Sequence, residues 1–216
     1  MEAAFTALGL GPIEAIGFGF GGMTDRAILR RAIRGTALGQ ALAPGHLEDR
    51  IDAGVAHYLD ALEHEVPRSP GFKVFEGVVE ALEALEASTG EAPLAVGLGT
   101  GNVRRGAESK LRRAGLWHRF AFGGFGCDDE SRPALIEAGI RRGAQQLGVD
   151  RGAVAALVIG DTPADIEAAR ACDAGVVAVA TGAFERRILE EHGADVVCDS
   201  LSPSICLRAV AEQRRD

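Results

Sequence analysis

The sequence predicts an α/β fold, a Rossmann-like parallel sheet covered by helices, with a small helical module in front of it. From Glu91 onward, short apolar segments alternate with amphipathic helical segments. Because parallel strands need crossover helices, this alternation is typical of a sheet with helices on both faces. Before Pro67 the apolar residues recur with helical spacing only. The two patterns predict a helical cap over residues 1–70 and an α/β core over residues 71–216.

Five segments of the core have the length and the Val, Ala and Ile content of buried strands. They are PLAVGLGTG, RFAFGGFG, AALVIGD, GVVAVATG and ADVVCDS, and each ends in Gly, Asp or Ser. The helical patterns that accompany them are NVRRGAESKLRRAG, RPALIEAGIRRGAQQLG, TPADIEAARACDA, AFERRILEEHG and PSICLRAVAEQ. Since ligands bind at the carboxyl ends of the strands in such sheets, we expect the functional site there.

Three stretches of the leading module have helical spacing. They are MEAAFTALGLG, TDRAILRRAIRGTALGQAL and GHLEDRIDAGVAHYLDALEHEV, with Thr24 placed as an N-cap. The segment PRSPGFKVFEG is rich in Pro and Gly, which places the boundary to the core near residues 69–73.

Composition and charge indicate a folded domain with a small partner. The chain has 216 residues, 47% of them apolar, which is enough for one sizeable core. A formal net charge of −8 disfavours nucleic acid as a partner, because nucleic-acid binders gather Lys and Arg on one face. No window reaches the roughly 18 uncharged apolar residues of a membrane span, and the first residues lack the basic start of a signal peptide. The sequence therefore predicts a cytoplasmic protein that binds a small molecule, and it leaves the oligomeric state open.

The segment VIGDTPADIEAA carries the strongest signal for chemistry. Asp161 falls at the end of a predicted strand, and Asp165 lies four residues on, in the first turn of the next helix. Two carboxylates at the mouth of a sheet suit Mg²⁺, which takes carboxylate oxygens and keeps water and substrate phosphate as its other ligands. The same pattern also fits a structural role, with Asp161 as an N-cap and Asp165 as an acid beside the helix dipole.

Two further segments place polar groups at the same edge of the sheet. In GLGTGN, Thr100, Gly101 and Asn102 follow a predicted strand, where a hydroxyl and backbone N–H groups can hold a phosphoryl group. In DDESRPALI, Arg132 begins a helix, where it could neutralise a phosphate or a carboxylate. Each feature alone also fits an ordinary strand-to-helix turn or a surface charge.

In this order and at these strand ends, Thr100, Arg132, Asp161 and Asp165 resemble motifs two, three and four of the haloacid dehalogenase superfamily of phosphatases. The leading helices are similar to the helical cap of that superfamily, and GMTDRAI is similar to a cap segment of its phosphoglycolate-phosphatase-like members. The resemblance implies that Thr100 holds the phosphoryl oxygens, that Arg132 stabilises their charge, and that Asp161 and Asp165 complete a Mg²⁺ site. The superfamily more often has Lys where this chain has Arg132.

The first motif of that superfamily, D-x-D-G-T at the end of the first strand, is absent from this sequence. A phosphatase of this kind needs the first aspartate as nucleophile and the second as acid and base. We therefore expect a Mg²⁺-dependent phosphatase of a small phosphorylated metabolite that cannot form its aspartyl-phosphate as written. Within the cap, Thr24, Asp25 and Arg26 are candidates for substrate contact; alternatively, Thr24 and Asp25 simply cap a helix.

The stretch IGFGFGGMTD, residues 16–25, has three interpretations. Its glycines fit the G-x-G-x-x-G of a dinucleotide site, which also needs a strand before them and a second strand after the helix. Aligned with F-D-x-D-G-T, the stretch would be a decayed motif in which Gly19 and Gly21 replace two aspartates. As a third interpretation, it belongs to the cap and the first strand lies upstream of Met1, which the helical pattern directly at Met1 favours.

Loss of the first strand has a physical consequence for the expected sheet. In the superfamily that strand lies between the strands that end at Thr100 and Asp161, so both would have an inner edge without a partner. Buried unpaired backbone groups cost about 1–3 kcal/mol each, so we expect an unstable, rearranged or inactive chain. Alternatively, residues 13–20 fill the gap.

Two other functions remain open. A 2-haloacid dehalogenase would work without Mg²⁺, which the presence of Asp161 and Asp165 disfavours. A catalytically dead binding or regulatory protein is compatible with the missing nucleophile, and it would bind a phosphate analogue with Mg²⁺ but not turn it over.

Overall fold

Helices make up the leading part of the protein. The computed structural model describes residues 1–88 and 93–213. The leading helices are α1 (Glu2–Leu8), α2 (Asp25–Arg34), α3 (Ala37–Gln40) and α4 (Pro44–Glu65). Phe5, Leu29 and Ile51 are fully buried in one cluster that joins α1, α2 and α4. Thr24 caps α2 as predicted, because its hydroxyl accepts a hydrogen bond from the Ala27 N–H at 3.2 Å.

The stretch before α2 contains no strand. Ile13–Ala15 forms a 3-10 helix, and Phe18 and Phe20 pack against the buried cluster of the leading helices. The expectation that residues 13–20 fill the gap in the sheet is therefore wrong. The dinucleotide interpretation also fails, because it requires a strand directly before the glycines.

All five predicted strands are present in the core, and helices alternate with them. The strands are β1 (Leu98–Thr100), β2 (Gly123–Phe125), β3 (Leu157–Gly160), β4 (Gly175–Val179) and β5 (Val196–Cys198). The helices are α5 (Val78–Glu86), α6 (Arg104–Arg113), α7 (Arg132–Leu147), α8 (Pro163–Ala171), α9 (Arg186–Glu191) and α10 (Pro203–Gln213). In the described part of the chain, no helix is long and apolar enough to cross a membrane.

The parallel strands form two sheets instead of one continuous sheet. Strand β1 pairs with β2, and β3, β4 and β5 pair in that order. Helices α7 and α8 join the two sheets on one face, since Val158 of β3 packs against a cluster that they form around Leu135, and Gly124 of β2 allows close contact with the α7 backbone. A side chain at Gly124 would overlap the Leu135 carbonyl. This contact fixes the start of α7, where Arg132 lies.

The chain from Gly22 to Thr24 crosses the space between the two sheets. A Cβ on Gly22 would lie 2.7 Å from the Cβ of Ala164, which follows β3, and a Cβ on Gly101 would lie 3.0 Å from the Cα of Thr24. Residues 22–24 therefore lie between the turn after β1 and the start of α8, which follows β3.

Candidate active site

Asp165 is the most completely bonded carboxylate at the mouth of the core. Its Oδ1 accepts hydrogen bonds from Arg132 Nε at 2.9 Å and Nη2 at 2.6 Å. Its Oδ2 accepts from the Asp161 N–H at 3.2 Å, the Thr162 N–H at 3.1 Å and the Thr162 hydroxyl at 2.8 Å. Only 3% of Asp165 is exposed. The residue therefore acts in a capping box for α8 and as the anchor of Arg132.

Asp161 lies beside this pair and differs from Asp165 in its surroundings. Its carboxylate has no side-chain hydrogen-bond partner among residues 1–88 and 93–213. Burial, and then the charge of Asp165, raise the pKa of Asp161, while its own backbone N–H and Arg132 oppose the rise. A cleft of about 190 Å³ opens beside it, lined by Phe75 and Ile159 among others. A cation bound in this cleft would relieve the electrostatic cost of the half-buried carboxylate.

These two aspartates fit a magnesium ion in part. Asp161 offers its oxygens, whereas the oxygens of Asp165 are already occupied by N–H and O–H donors. No group of three or more His, Cys, Asp or Glu side chains suited to a metal occurs in the described residues. Mg²⁺ is commonly held by one or two carboxylates together with water and substrate phosphate. The donor set therefore suits a magnesium ion that is completed by a phosphate ligand.

The loop after β1 is held by internal hydrogen bonds that leave the proton of the Thr100 hydroxyl unused. The Thr100 hydroxyl oxygen accepts a hydrogen bond from the Asn102 N–H at 3.2 Å, so its own proton remains available for an external acceptor. The Gly126 N–H donates to the Asn102 carbonyl at 2.9 Å and supports the loop from β2. A side chain at Gly101 would overlap the carbonyl of Met23, so the loop packs directly on the residues before α2.

Thr24 and Asp25, the predicted cap residues, lie under this loop and not on an open surface. They are 1% and 4% exposed. The Asp25 N–H donates to the Gly101 carbonyl at 2.9 Å, and the Asp25 carboxylate accepts from the Val103 N–H at 2.9 Å and from Asn102 Nδ2 at 3.2 Å. In this structure both side chains are used for contacts within the protein.

Two residues of this region were missed in the sequence analysis. Lys110 on α6 donates to Asn102 Oδ1 at 3.0 Å, and Glu130, just before α7, accepts two hydrogen bonds from Arg30 at 2.8 and 2.7 Å. Lys110 carries a weak signal in the sequence, because it and Lys73 are the only lysines in a chain rich in arginine. Glu130 carries none, since its partner is a hundred residues away.

Comparison with known proteins establishes the family. Residues 40–173, more than half of the chain, match the family model of the haloacid dehalogenase-like hydrolases. The chain belongs to this family. A curated relative, the probable phosphatase IndB of Dickeya dadantii (strain 3937), is 30% identical over 181 residues, which cover 80% of this chain and 75% of the relative. The resemblance inferred from the motifs is thereby confirmed.

Solved structures of haloacid dehalogenase-like proteins confirm the fold. The β-phosphoglucomutase (pgmB) of Clostridium difficile has a TM-score of 0.65 at 14% identity, over 99% of this chain and 87% of that chain. A predicted phosphoglycolate phosphatase from Haemophilus somnus 129PT has a TM-score of 0.62 at 20% identity, over 96% of this chain and 88% of that chain. These likenesses show the Rossmann-like α/β architecture that the alternation of strands and helices predicts.

Proposed function

We propose that this chain forms the phosphate-binding and Mg²⁺-binding part of a phosphatase that acts on a small phosphorylated metabolite. The observation that carries the proposal is the arrangement of Asp161, Arg132 and Asp165 at the end of β3, where Asp165 is hydrogen-bonded to Arg132 and to the Asp161 N–H, together with Thr100 at the carboxyl end of β1. The haloacid dehalogenase-like family and the relative described as a probable phosphatase support the reaction type. Residues 1–70 would serve as the cap and residues 71–216 as the core.

Each residue of the site has a separate role in this proposal. Thr100 donates its free proton to a phosphoryl oxygen, and Gly101 and Asn102 form the turn that presents it. Arg132, fixed by Asp165, neutralises charge on the phosphoryl group through the edge of its guanidinium that Asp165 does not use. Asp161 would hold Mg²⁺, which when bound offsets the negative charge of the phosphate.

The nucleophile is the part that this sequence does not supply as D-x-D-G-T. An aspartyl-phosphate mechanism needs an aspartate between Thr100 and Asp161, at the carboxyl end of a strand in the gap between β1 and β3. The exposure of Ile159 in β3, which is 38%, supports a further strand beside β3. We therefore propose that the chain as given binds phosphate but does not hydrolyse phosphate esters.

One observation favours a second function, a binding or regulatory protein without catalysis. Residues 22–24 lie across the gap between β1 and β3. Gly22 packs on Ala164 there, and it has no carboxylate to offer beside Asp161. If this stretch is a decayed motif, the retained Thr100 and Arg132 would serve ligand binding alone. A dehalogenase is disfavoured, because that reaction has no use for the Asp161 and Asp165 pair.

Calorimetric titration with inorganic phosphate, with and without Mg²⁺, tests the proposal. We expect binding that needs Mg²⁺, that is weakened at least tenfold in Asp161→Asn, and that is weakened severalfold in Thr100→Val. Asp60→Asn, a change at an exposed position of α4, is the matched control and should bind like the parent. Binding that is equal in Asp161→Asn and the parent, or that is independent of Mg²⁺, would overturn the proposed site.

A further inference from the structure

The side chain of Asn102 is held from both ends by charged residues. Its Oδ1 accepts from Lys110 Nζ at 3.0 Å, and its Nδ2 donates to Asp25 Oδ1 at 3.2 Å. A lysine can only donate and a carboxylate can only accept, so these partners allow one orientation of the amide. The chain Lys110–Asn102–Asp25 thus links α6, the loop after β1 and the start of α2 in a single defined arrangement.

The same arrangement fixes the backbone of the loop. Asp25 is bonded to the residues on both sides of Asn102, through the Gly101 carbonyl and the Val103 N–H, each at 2.9 Å. The Asn102 N–H in turn donates to the Thr100 hydroxyl oxygen, which leaves the hydroxyl proton free for another acceptor. A change in the position of Asn102 would therefore change the donor that Thr100 presents.

Burial of this pair of charges would be costly if it served stability alone. Lys110 and Asp25 are largely removed from water, and they meet through Asn102 instead of forming a direct ion pair. Burial lowers the pKa of Lys110 and raises the pKa of Asp25, and in each case the charge of the other residue opposes the shift. The ring of Tyr58 on α4 also lies 5.8 Å from Lys110 Nζ. An apolar pair of similar volume would avoid this electrostatic cost, which favours a role beyond packing.

We propose that Lys110 and Asp25 are positioning residues of the phosphate loop, which act through Asn102 to hold the Thr100 hydroxyl toward the ligand. Neither side chain touches the ligand, since Lys110 Nζ donates to Asn102 and Asp25 is buried beneath the loop. Because Asp25 begins α2, the same contacts connect the leading helices to the site. This inference rests on the proposed phosphate site, and it assigns Asp25 to the support of that site instead of to substrate contact.

Phosphate titration of Lys110→Met, with Mg²⁺ present, tests the inference, and Lys73→Met is the matched control at the other lysine, which is exposed. We expect the dissociation constant to rise about five- to tenfold in Lys110→Met and to stay unchanged in Lys73→Met. In an Asn102→Ala background, Lys110→Met should have no further effect, because its route to Thr100 has been removed. Equal additional weakening in that background would overturn the inference.

Amide hydrogen exchange without ligand gives a readout that does not depend on phosphate binding. Lys110→Met, or Asp25→Asn if the first variant does not fold, should raise the exchange rate of the Val103 N–H at least tenfold and leave the Val177 N–H in β4 unchanged. Unchanged exchange at Val103 in both variants would overturn the inference. If Lys110→Met binds phosphate like the parent while Thr100→Val binds it more weakly, the inference fails and the proposed function stands. If the parent binds no phosphate, the proposed function fails, and with it the positioning role of Lys110 and Asp25.

Discussion

Strand β4 and the inner edges of β1 and β3 differ most, within this core, in burial and in strand pairing. All five residues of β4 are buried, and β4 pairs with β3 on one side and β5 on the other. Within residues 1–88 and 93–213, β1 and β3 each pair on one side only, and Ile159 of β3 is 38% exposed. The comparison teaches that the fully paired part of the core and the proposed site are different places. The proposed site lies beside the unpaired inner edges of β1 and β3.

The helices explain how the incomplete region keeps its shape. Helix α7 contacts β2 and β3 on one face, and on the other face Leu85 of α5 packs with Cys206 of α10 and with Val96, just before β1. These contacts hold the two sheets in place without backbone pairing between them. We therefore expect changes in β4 to affect the whole fold, and changes at the inner edges to affect mainly the site.

The largest difference in the free energy of unfolding should come from placing the same charge in β4 and at the inner edge of β3. Val177→Asp would bury a carboxylate without a partner in β4, where Val177 is 0% exposed, and we expect a loss of about 4 kcal/mol or more, enough to abolish a stable fold. Ile159→Asp, at the exposed edge, should cost about 1 kcal/mol. Urea unfolding followed by circular dichroism measures both. Similar losses for the two variants would contradict the distinction between the regions.

A smaller difference in the free energy of unfolding is expected when two ion pairs of α7 are removed in turn. Arg132→Met leaves the buried carboxylate of Asp165 without its main partner, and loss of one member of a buried pair costs about 3–5 kcal/mol. Arg142→Met removes a pair with Asp128 whose arginine is 39% exposed, and it should cost about 1 kcal/mol or less. Both free energies of unfolding come from the same urea titrations. The idea that Asp165 anchors Arg132 would be refuted if Arg142→Met were the more damaging change.

The smallest effect should be seen in the pH dependence of stability at the end of β2. Hydrogen bonds from Arg142 lower the pKa of Asp128 below its ordinary 3.8, although burial opposes this, and the Phe125 N–H also contributes. A lowered folded pKa stabilises the protein above the ordinary value, and this contribution is lost as pH falls toward the folded value. Asp128→Asn should therefore flatten the loss of stability between about pH 5 and pH 3. Melting temperatures across this range, with Asp60→Asn as control, test the sign.

The order of strands and helices in the core was predictable from the sequence, whereas the hydrogen-bond partners of individual side chains were not. The five strands and the position of Asp161 and Asp165 follow from apolar periodicity and a spacing of four residues. The same spacing suits a metal site and a capping box, so only the structure shows that the oxygens of Asp165 are occupied by Arg132 and Thr162.

The contacts of Lys110 and Asp25 show why the rest could not be predicted. Their meeting at Asn102 depends on how α2 and α6 pack on one loop, and residues 25 and 102 are 77 positions apart. Local propensity carries no information about such contacts. The unpartnered inner edges of β1 and β3, in contrast, were expected from the absence of D-x-D-G-T, whereas the division of the strands into two sheets was not.

The central claim is that Asp161, Arg132 and Thr100 form a phosphate site that lacks a nucleophilic aspartate. Release of phosphate from an aryl phosphate with Mg²⁺, measured beside the calorimetric binding of inorganic phosphate, tests it most directly. We predict that the 216-residue chain binds phosphate with Mg²⁺, that Asp161→Asn weakens this binding, and that neither protein releases phosphate from the ester. Turnover of the ester by the 216-residue chain would contradict the claim.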